Sequence, residues 1–98
     1  MKHRLRIKRG ARADAREARG WYEREAPHMI SEFDAELAAV LRNIEERPLV
    51  YPKIHGEARR ALVNRFPYAI FFVIEEDRVV VFAISHQSQS EERWQNRT

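Results

Sequence analysis

The 98-residue sequence contains no cysteine. A disulfide framework, a thiolate zinc site and a cysteine nucleophile are therefore excluded. The three glycines, Gly10, Gly20 and Gly56, lie far apart, so there is no glycine-rich phosphate-binding loop and nucleotide triphosphate chemistry is not expected. No apolar run approaches the roughly 18 residues that a membrane-spanning helix requires, and no secretory signal is recognisable. We expect a cytoplasmic protein that has no membrane contact.

Histidine is also scarce, and its four occurrences are scattered through the sequence as His3, His28, His55 and His86. No pair has the spacing of metal ligands, and no cysteine is present to complete a site. We therefore expect neither a metal nor another cofactor.

What the sequence does contain is enough apolar material for one core. Hydrophobic residues make up 44% of the chain and aromatic residues 10%, which favours a single folded domain over residues 1–98. The 18 Lys and Arg exceed the 15 Asp and Glu, giving a net charge of +3 that only weakly indicates an anionic partner.

The residue pattern predicts an α+β fold. Alternation from Leu5 to Lys8 predicts an N-terminal strand, and apolar residues at three- and four-residue steps predict two helices, which open at Gly10 and Pro27. With a tight connection, these helices should form an antiparallel hairpin packed on an antiparallel β-sheet, in the order β-α-α-β-β-β. The other predicted elements are a loop over 47–56, strands over 58–64, 69–75 and 78–85, and a short C-terminal helix after a capping box at 88–91.

Two details of this prediction concern particular residues. Asp14 lies early enough in the first helix to favour its dipole, and Phe33 in the second should pack against the strands of Phe72 and Phe82. The last two strands are apolar on both faces, whereas the helix hairpin covers only one. A partner protein is the expected cover of the other face.

The candidate functional residues cluster around the predicted strands. Arg59, Arg60 and Arg65 surround the first strand of the β half, where Arg60 faces opposite to Arg59. Tyr68 follows Pro67 at a strand opening, and His86 stands where a very apolar strand ends. Arginine forks match phosphate oxygens, although solvated arginines and a hydrogen-bonded structural histidine also explain the pattern.

An ordered set of local sequences resembles the RelE/ParE superfamily of bacterial toxins. The most specific pieces are the segment 65–68 (Arg-Phe-Pro-Tyr) and the segment 81–86, which ends in His86, followed by Arg93-Trp94. Weaker pieces are Trp21-Tyr22, Glu36-Leu37 and Tyr51-Pro52. The resemblance extends over nearly the whole chain.

This resemblance implies the toxin of a type II toxin–antitoxin pair, of the kind that serves plasmid stabilisation and causes growth arrest. A cognate antitoxin would hold it inactive by wrapping the apolar and basic surface. The residues expected to bind partners are Arg59, Arg60, Arg65, Arg93 and Trp94. RelE-like members cut messenger RNA on the ribosome without a metal, and ParE-like members poison DNA gyrase.

The sequence departs from the ribonuclease members at several cationic positions. Arg60 matches a basic position, but Ala69 and Leu62 stand where cations are expected, as do Ser88 and Gln89 after His86. A lost electrostatic donor costs about 10² to 10³ in rate, which favours a ParE-like gyrase inhibitor. One alternative is a ribosome-dependent endoribonuclease that uses Arg60, Arg65, Tyr68 and His86. The other is a degenerate toxin that only binds its antitoxin.

Overall fold

The computed structural model describes residues 4–89 and 92–97, without the side chains of Glu92 and Arg93. The elements are β1 (Arg4–Ile7), α1 (Arg9–Glu25), a 3₁₀ turn (Pro27–Met29), α2 (Ile30–Glu46), a second 3₁₀ turn (Pro48–Val50), β2 (Lys53–His55), β3 (Ala58–Leu62), β4 (Tyr68–Glu75), β5 (Arg78–His86) and α3 (Glu92–Gln95). The predicted α+β class is confirmed. His3, Ser90 and Glu91 lie outside the described residues, so half of the predicted capping box at 88–91 does too. None of the helices in the described ranges is long and apolar enough to cross a membrane.

The five strands form one sheet in the order β1-β5-β4-β3-β2. Pairing is antiparallel from β2 to β5, but β1 runs parallel to β5, with Leu5 opposite Val79 and Ile7 opposite Val81. The sheet is therefore mixed rather than wholly antiparallel. The predicted loop over 47–56 also contains β2, a three-residue edge strand that directly follows Pro52.

The main core lies between the two long helices and one face of the sheet. Phe33 of α2 is 1% exposed, and its ring lies 5.0 Å from that of Tyr22 and 5.3 Å from that of Phe66. Ile44, Ile70, Phe72 and residues 79, 81 and 84 of β5 complete this cluster. The predicted packing of Phe33 toward Phe72 is confirmed.

Packing against the strand of Phe82 is also confirmed, through Val81 and Ile84 of the main cluster, whereas the Phe82 side chain itself lies on the opposite face of the sheet. The register of β4 and β5 shifts between Phe71 and Phe72, which pair with Ala83 and Val81. Phe82 is the extra residue of this bulge, and a bulge re-aims the side chains beside it. Phe82 and Ala83 both join a second cluster with Ala58, Ala69, Phe71 and Trp94.

The protein's own C-terminal segment packs against this second face. Trp94 of α3 is 6% exposed and stacks on Phe71, with ring centroids 4.2 Å apart and an interplanar angle of 12°. The prediction that the second face requires a partner is therefore wrong for the part of the face under Trp94. Exposed apolar side chains remain elsewhere, including Leu62 of β3 at 54% and Leu49 at 69%.

An ion pair fastens the C-terminal segment to the rest of the fold. Arg97 donates to Asp14 of α1 through Nη1 at 2.6 Å and Nη2 at 3.2 Å, and Asp14 Oδ2 also accepts from the Ile84 amide at 2.9 Å. A Cβ on Gly10 would lie 3.3 Å from Arg97 Nη1, so the glycine leaves room for the guanidinium. The expected role of Asp14 at the helix dipole is wrong, because the first turn of α1 contains no acidic residue and the Asp14 carboxylate is buried.

Candidate functional site

The end of β5 and the start of β4 bring Tyr68 and His86 together. The two residues are register partners, and their rings meet edge to face at a centroid distance of 5.2 Å. The turn beyond the strand is closed by Gln87, whose amide donates to the Pro67 carbonyl at 2.8 Å. Both side chains are therefore positioned by the sheet and by the turn that follows it.

The imidazole of His86 is oriented by the residue two positions later. The Ser88 amide donates to His86 Nδ1 at 3.0 Å, and the Ser88 hydroxyl lies 2.8 Å from the same nitrogen. Because a backbone amide can only donate, Nδ1 is the acceptor and a neutral ring carries its proton on Nε2. Gln89 supports this turn, since its Oε1 accepts from the His86 amide at 3.0 Å and from the Ser85 hydroxyl at 2.8 Å.

A cavity of about 390 Å³ lies between α1 and this end of the sheet. Its lining combines aromatic side chains with polar ones: Asp14, Glu17, Trp21, Tyr22, Arg24, Tyr68, His86, Ser88 and Gln89, with Ala18, Pro67 and Ile84. Trp21 is 49% exposed here, whereas Tyr22 is buried in the core. Cavities of this volume and mixed lining are typical of ligand or peptide sites.

Burial governs the chemistry of Tyr68. Desolvation raises the pKa of its hydroxyl, and the neighbouring Tyr22 and Glu17 raise it further. Tyr68 therefore remains protonated at neutral pH, where it can donate a hydrogen bond but does not act as a base.

The predicted arginines lie apart from this cavity. Arg65 is held with φ 72° and forms an ion pair with Glu32 of α2, with Nη1 2.7 Å from Oε1. Arg59 donates from Nη1 to the Tyr51 carbonyl at 2.6 Å. Arg60 is exposed on the other sheet face, as predicted, and lines a second cavity of about 330 Å³ that also includes His86.

The remaining predicted partner-binding residues belong to the C-terminal segment. Trp94 is buried against Phe71, so it contributes to the core and not to a free surface. The side chain of Arg93 lies outside the described part of the chain. Among the residues that the structure describes, no three His, Asp or Glu side chains form a group that could hold a metal.

Comparison with known proteins identifies the family. A family model described as the ParE toxin of type II toxin–antitoxin system, parDE, matches residues 5–91. The chain belongs to the ParE toxin family. A solved structure titled "Chromosomal ParDE TA system from P. aeruginosa" superimposes with a TM-score of 0.75 at 15% identity, over 87% of this chain and 96% of that one. At that identity the match shows the common fold. A search of curated proteins finds no match.

Two features of the structure were not predicted from the sequence. The pairing of Asp14 with Arg97 joins residues 83 positions apart, although the spacing of Asp14 between Ala11 and Ala18 did indicate a carboxylate on the buried face of α1. The exposure of Trp21 has a similar signal, because Trp21 lies one position before Tyr22 and therefore off the buried face of α1 that includes Ala11, Ala18 and Tyr22. Family membership makes an antitoxin the expected partner of exposed apolar side chains such as Trp21.

Proposed function

We propose that this toxin acts by binding and inhibiting DNA gyrase in the cytoplasm, and that a cognate antitoxin neutralises it. The observation that carries the proposal is the separation of the residues that RNA cleavage would need. Cleavage at a 2′-hydroxyl requires a base, an acid and cations around one phosphate. Tyr68 and His86 meet, but Arg65 is paired with Glu32 and does not line their cavity.

The charges near His86 support the same proposal. Arg60 shares the second cavity with His86 but does not line the cavity where Tyr68 and His86 meet, and Ser88 and Gln89 add no cation at the turn. Among the described residues that line the Tyr68 cavity, Arg24 is the one arginine. A site with few cations stabilises the doubly charged phosphate of the transition state poorly, whereas it suits recognition of a protein surface.

The contact between Tyr68 and His86 favours a second candidate, a ribosome-dependent endoribonuclease. In the neutral tautomer, His86 Nε2–H would donate a hydrogen bond to a leaving oxygen, with Tyr68 as a second donor beside it, and full transfer of a proton would require the imidazolium form. This function requires Arg60 and Arg65 to reach the same phosphate in the ribosome complex.

One pair of assays separates the two functions. The purified toxin is added to gyrase with relaxed plasmid, and in parallel to translating ribosomes whose messenger RNA is mapped for cuts. We expect inhibited supercoiling, stabilised gyrase–DNA cleavage complexes and intact messenger RNA.

The matched variants are His86→Ala and His28→Ala, the latter an exposed histidine on the first 3₁₀ turn. Messenger RNA cuts that disappear with His86→Ala and persist with His28→Ala would establish the ribonuclease instead. A chain that affects neither target and leaves growth intact on induction would be a degenerate toxin that only binds its antitoxin.

A further inference from the structure

A groove of about 460 Å³ lies along the free edge of β1, at the end of β5 farthest from His86. Four arginines surround it: Arg4, Arg6, Arg12 and Arg78. Its other lining residues are Leu5 and Ile7, whose side chains pack into the main core. The surface is therefore a row of guanidinium groups over a short apolar floor.

Three of these arginines are available to a ligand. Arg4, Arg6 and Arg12 are exposed, and no ion pair joins them to an acidic side chain within the described residues. Arg78 is partly neutralised by Glu75, with Nη2 3.3 Å from Oε1. The Arg4 amide donates to the Asp77 carbonyl, so the acidic turn between β4 and β5 borders the groove at one end. The cationic part of the groove extends from there toward Arg6 and Arg12.

We propose that this arginine groove binds the phosphate backbone of duplex DNA. Arg4 and Arg6 project from the same face of a strand at a separation of roughly 6.8 Å, comparable with the spacing of neighbouring phosphates along a nucleic-acid strand. Guanidinium forks bind phosphate oxygens in two-point contacts. Among the residues that the structure describes, no aromatic side chain lines the groove, whereas single-stranded nucleic acid is bound largely by stacking on aromatic rings.

This inference goes beyond gyrase inhibition, because it assigns a second surface and a second ligand. The groove lies apart from the cavity of Tyr68 and His86, and the two share no lining residue. DNA binding is measured without gyrase, so its failure would leave the proposed target untouched.

The test is fluorescence anisotropy of a labelled duplex of arbitrary sequence, titrated with the folded toxin at several salt concentrations. The variant Arg4→Gln/Arg6→Gln/Arg12→Gln is compared with Arg42→Gln/Arg47→Gln/Lys53→Gln. The second triple removes the same charge from exposed positions on α2, beyond its end and on β2 at the opposite edge of the sheet. Melting temperatures establish that both variants are folded.

We expect a weaker salt dependence for the groove variant. The magnitude of the negative slope of log K against log salt should decrease by about 0.9 for each lost phosphate contact, up to about 2.7. The control variant should keep the slope of the wild type. Equal losses in the two variants, or a wild-type toxin that binds no duplex at low salt, would overturn the proposal. So would a single-stranded oligonucleotide or an acidic peptide that binds more tightly than the duplex at the same ionic strength.

Discussion

At the scale of single residues, Asp14 joins the first helix to both β5 and the C-terminal segment. Its carboxylate accepts a hydrogen bond from the Ile84 amide, which lies beyond the last residue that β1 pairs on β5. It also accepts two hydrogen bonds from Arg97. Asp14 therefore binds a β5 amide at a position beyond the β1–β5 ladder. The same carboxylate raises the pKa of Arg97, chiefly through their hydrogen bond.

Removing this carboxylate should destabilise the toxin. We expect Asp14→Ala to lower the free energy of unfolding by about 2 to 4 kcal/mol, because a buried amide and a partly buried guanidinium lose their acceptor. Asp14→Asn keeps an oxygen for the Ile84 amide, so it should cost about 1 kcal/mol less. Urea denaturation measures both. The control is Glu23→Ala, which removes only an exposed pair with Arg19 and should cost less than about 0.5 kcal/mol; a similar cost for Asp14→Ala would contradict the role of the buried pair.

Tyr68 gives a prediction for alkaline pH. Its pKa is raised by burial above the ordinary value of 10.0, so the folded state holds this proton more tightly than the unfolded chain. The stabilisation is fully present below pH 10 and is lost as the pH rises through the folded-state value. We expect Tyr68→Phe to remove a tyrosinate absorbance component that titrates above pH 10 and to flatten the alkaline loss of stability. Loss of a component at or below pH 10 would contradict this assignment.

At the scale of elements, α3 is short but contributes a large ring to the second cluster. Trp94 stacks on Phe71 and meets His55 of β2 edge on at 6.0 Å, so one ring joins three elements. Small residues, Ala58, Ala69 and Ala83, belong to the same cluster. They leave space that an aromatic side chain fills.

The contribution of α3 is tested by truncating its ring. We expect Trp94→Ala to cost about 3 to 5 kcal/mol, whereas Trp94→Phe keeps most of the stacking and should cost much less. Denaturation followed by circular dichroism measures both changes. Leu62→Ala, at an exposed position of β3, is the control and should be nearly neutral. If Trp94→Ala resembled this control, α3 would not be part of the folded core.

The elements also show what the sequence could predict. The helical stripe of α2 was recognisable because Phe33 and Ile44 keep the 3.6-residue period that burial on one side imposes. The bulge at Phe82 was not, since β5 is apolar at every position from Val79 to Ile84 and offers no alternation from which to infer a face. The strand β2 is three residues long and is held by its pairing with β3. A pairing of this kind is not predicted by any local sequence pattern.

The residues of the candidate site also divide into those whose placement the sequence predicts and those whose placement it does not. Tyr68 and His86 were predicted at strand ends, and an antiparallel pair of neighbouring strands brings such ends together. The positions of Arg65 and Trp94 depend on Glu32 and Phe71, which lie 33 and 23 residues earlier in the chain. Long-range contacts of this kind have no signature in local spacing.

At the scale of the whole molecule, the exposed large apolar side chains belong to several elements. Trp21 lies on α1, Leu49 and Val50 follow α2, and Leu62 lies in β3, each between 49% and 69% exposed. An extended antitoxin segment that orders on binding can contact several elements at once, which is the arrangement that this distribution favours.

The final prediction is that such a segment stabilises the toxin by mass action. A partner that binds only the folded state adds about 2.7 kcal/mol at 100 times its dissociation constant, which corresponds to a rise in melting temperature of roughly 10 to 20 °C for a domain of this size. Thermal denaturation with increasing cognate antitoxin peptide should show this rise, while a peptide of the same composition in scrambled order should not. Because exposed apolar side chains lie on several elements, Leu62→Ala alone should reduce the shift only in part. An unchanged melting temperature at saturating antitoxin would mean that the exposed apolar surface serves something other than the antitoxin.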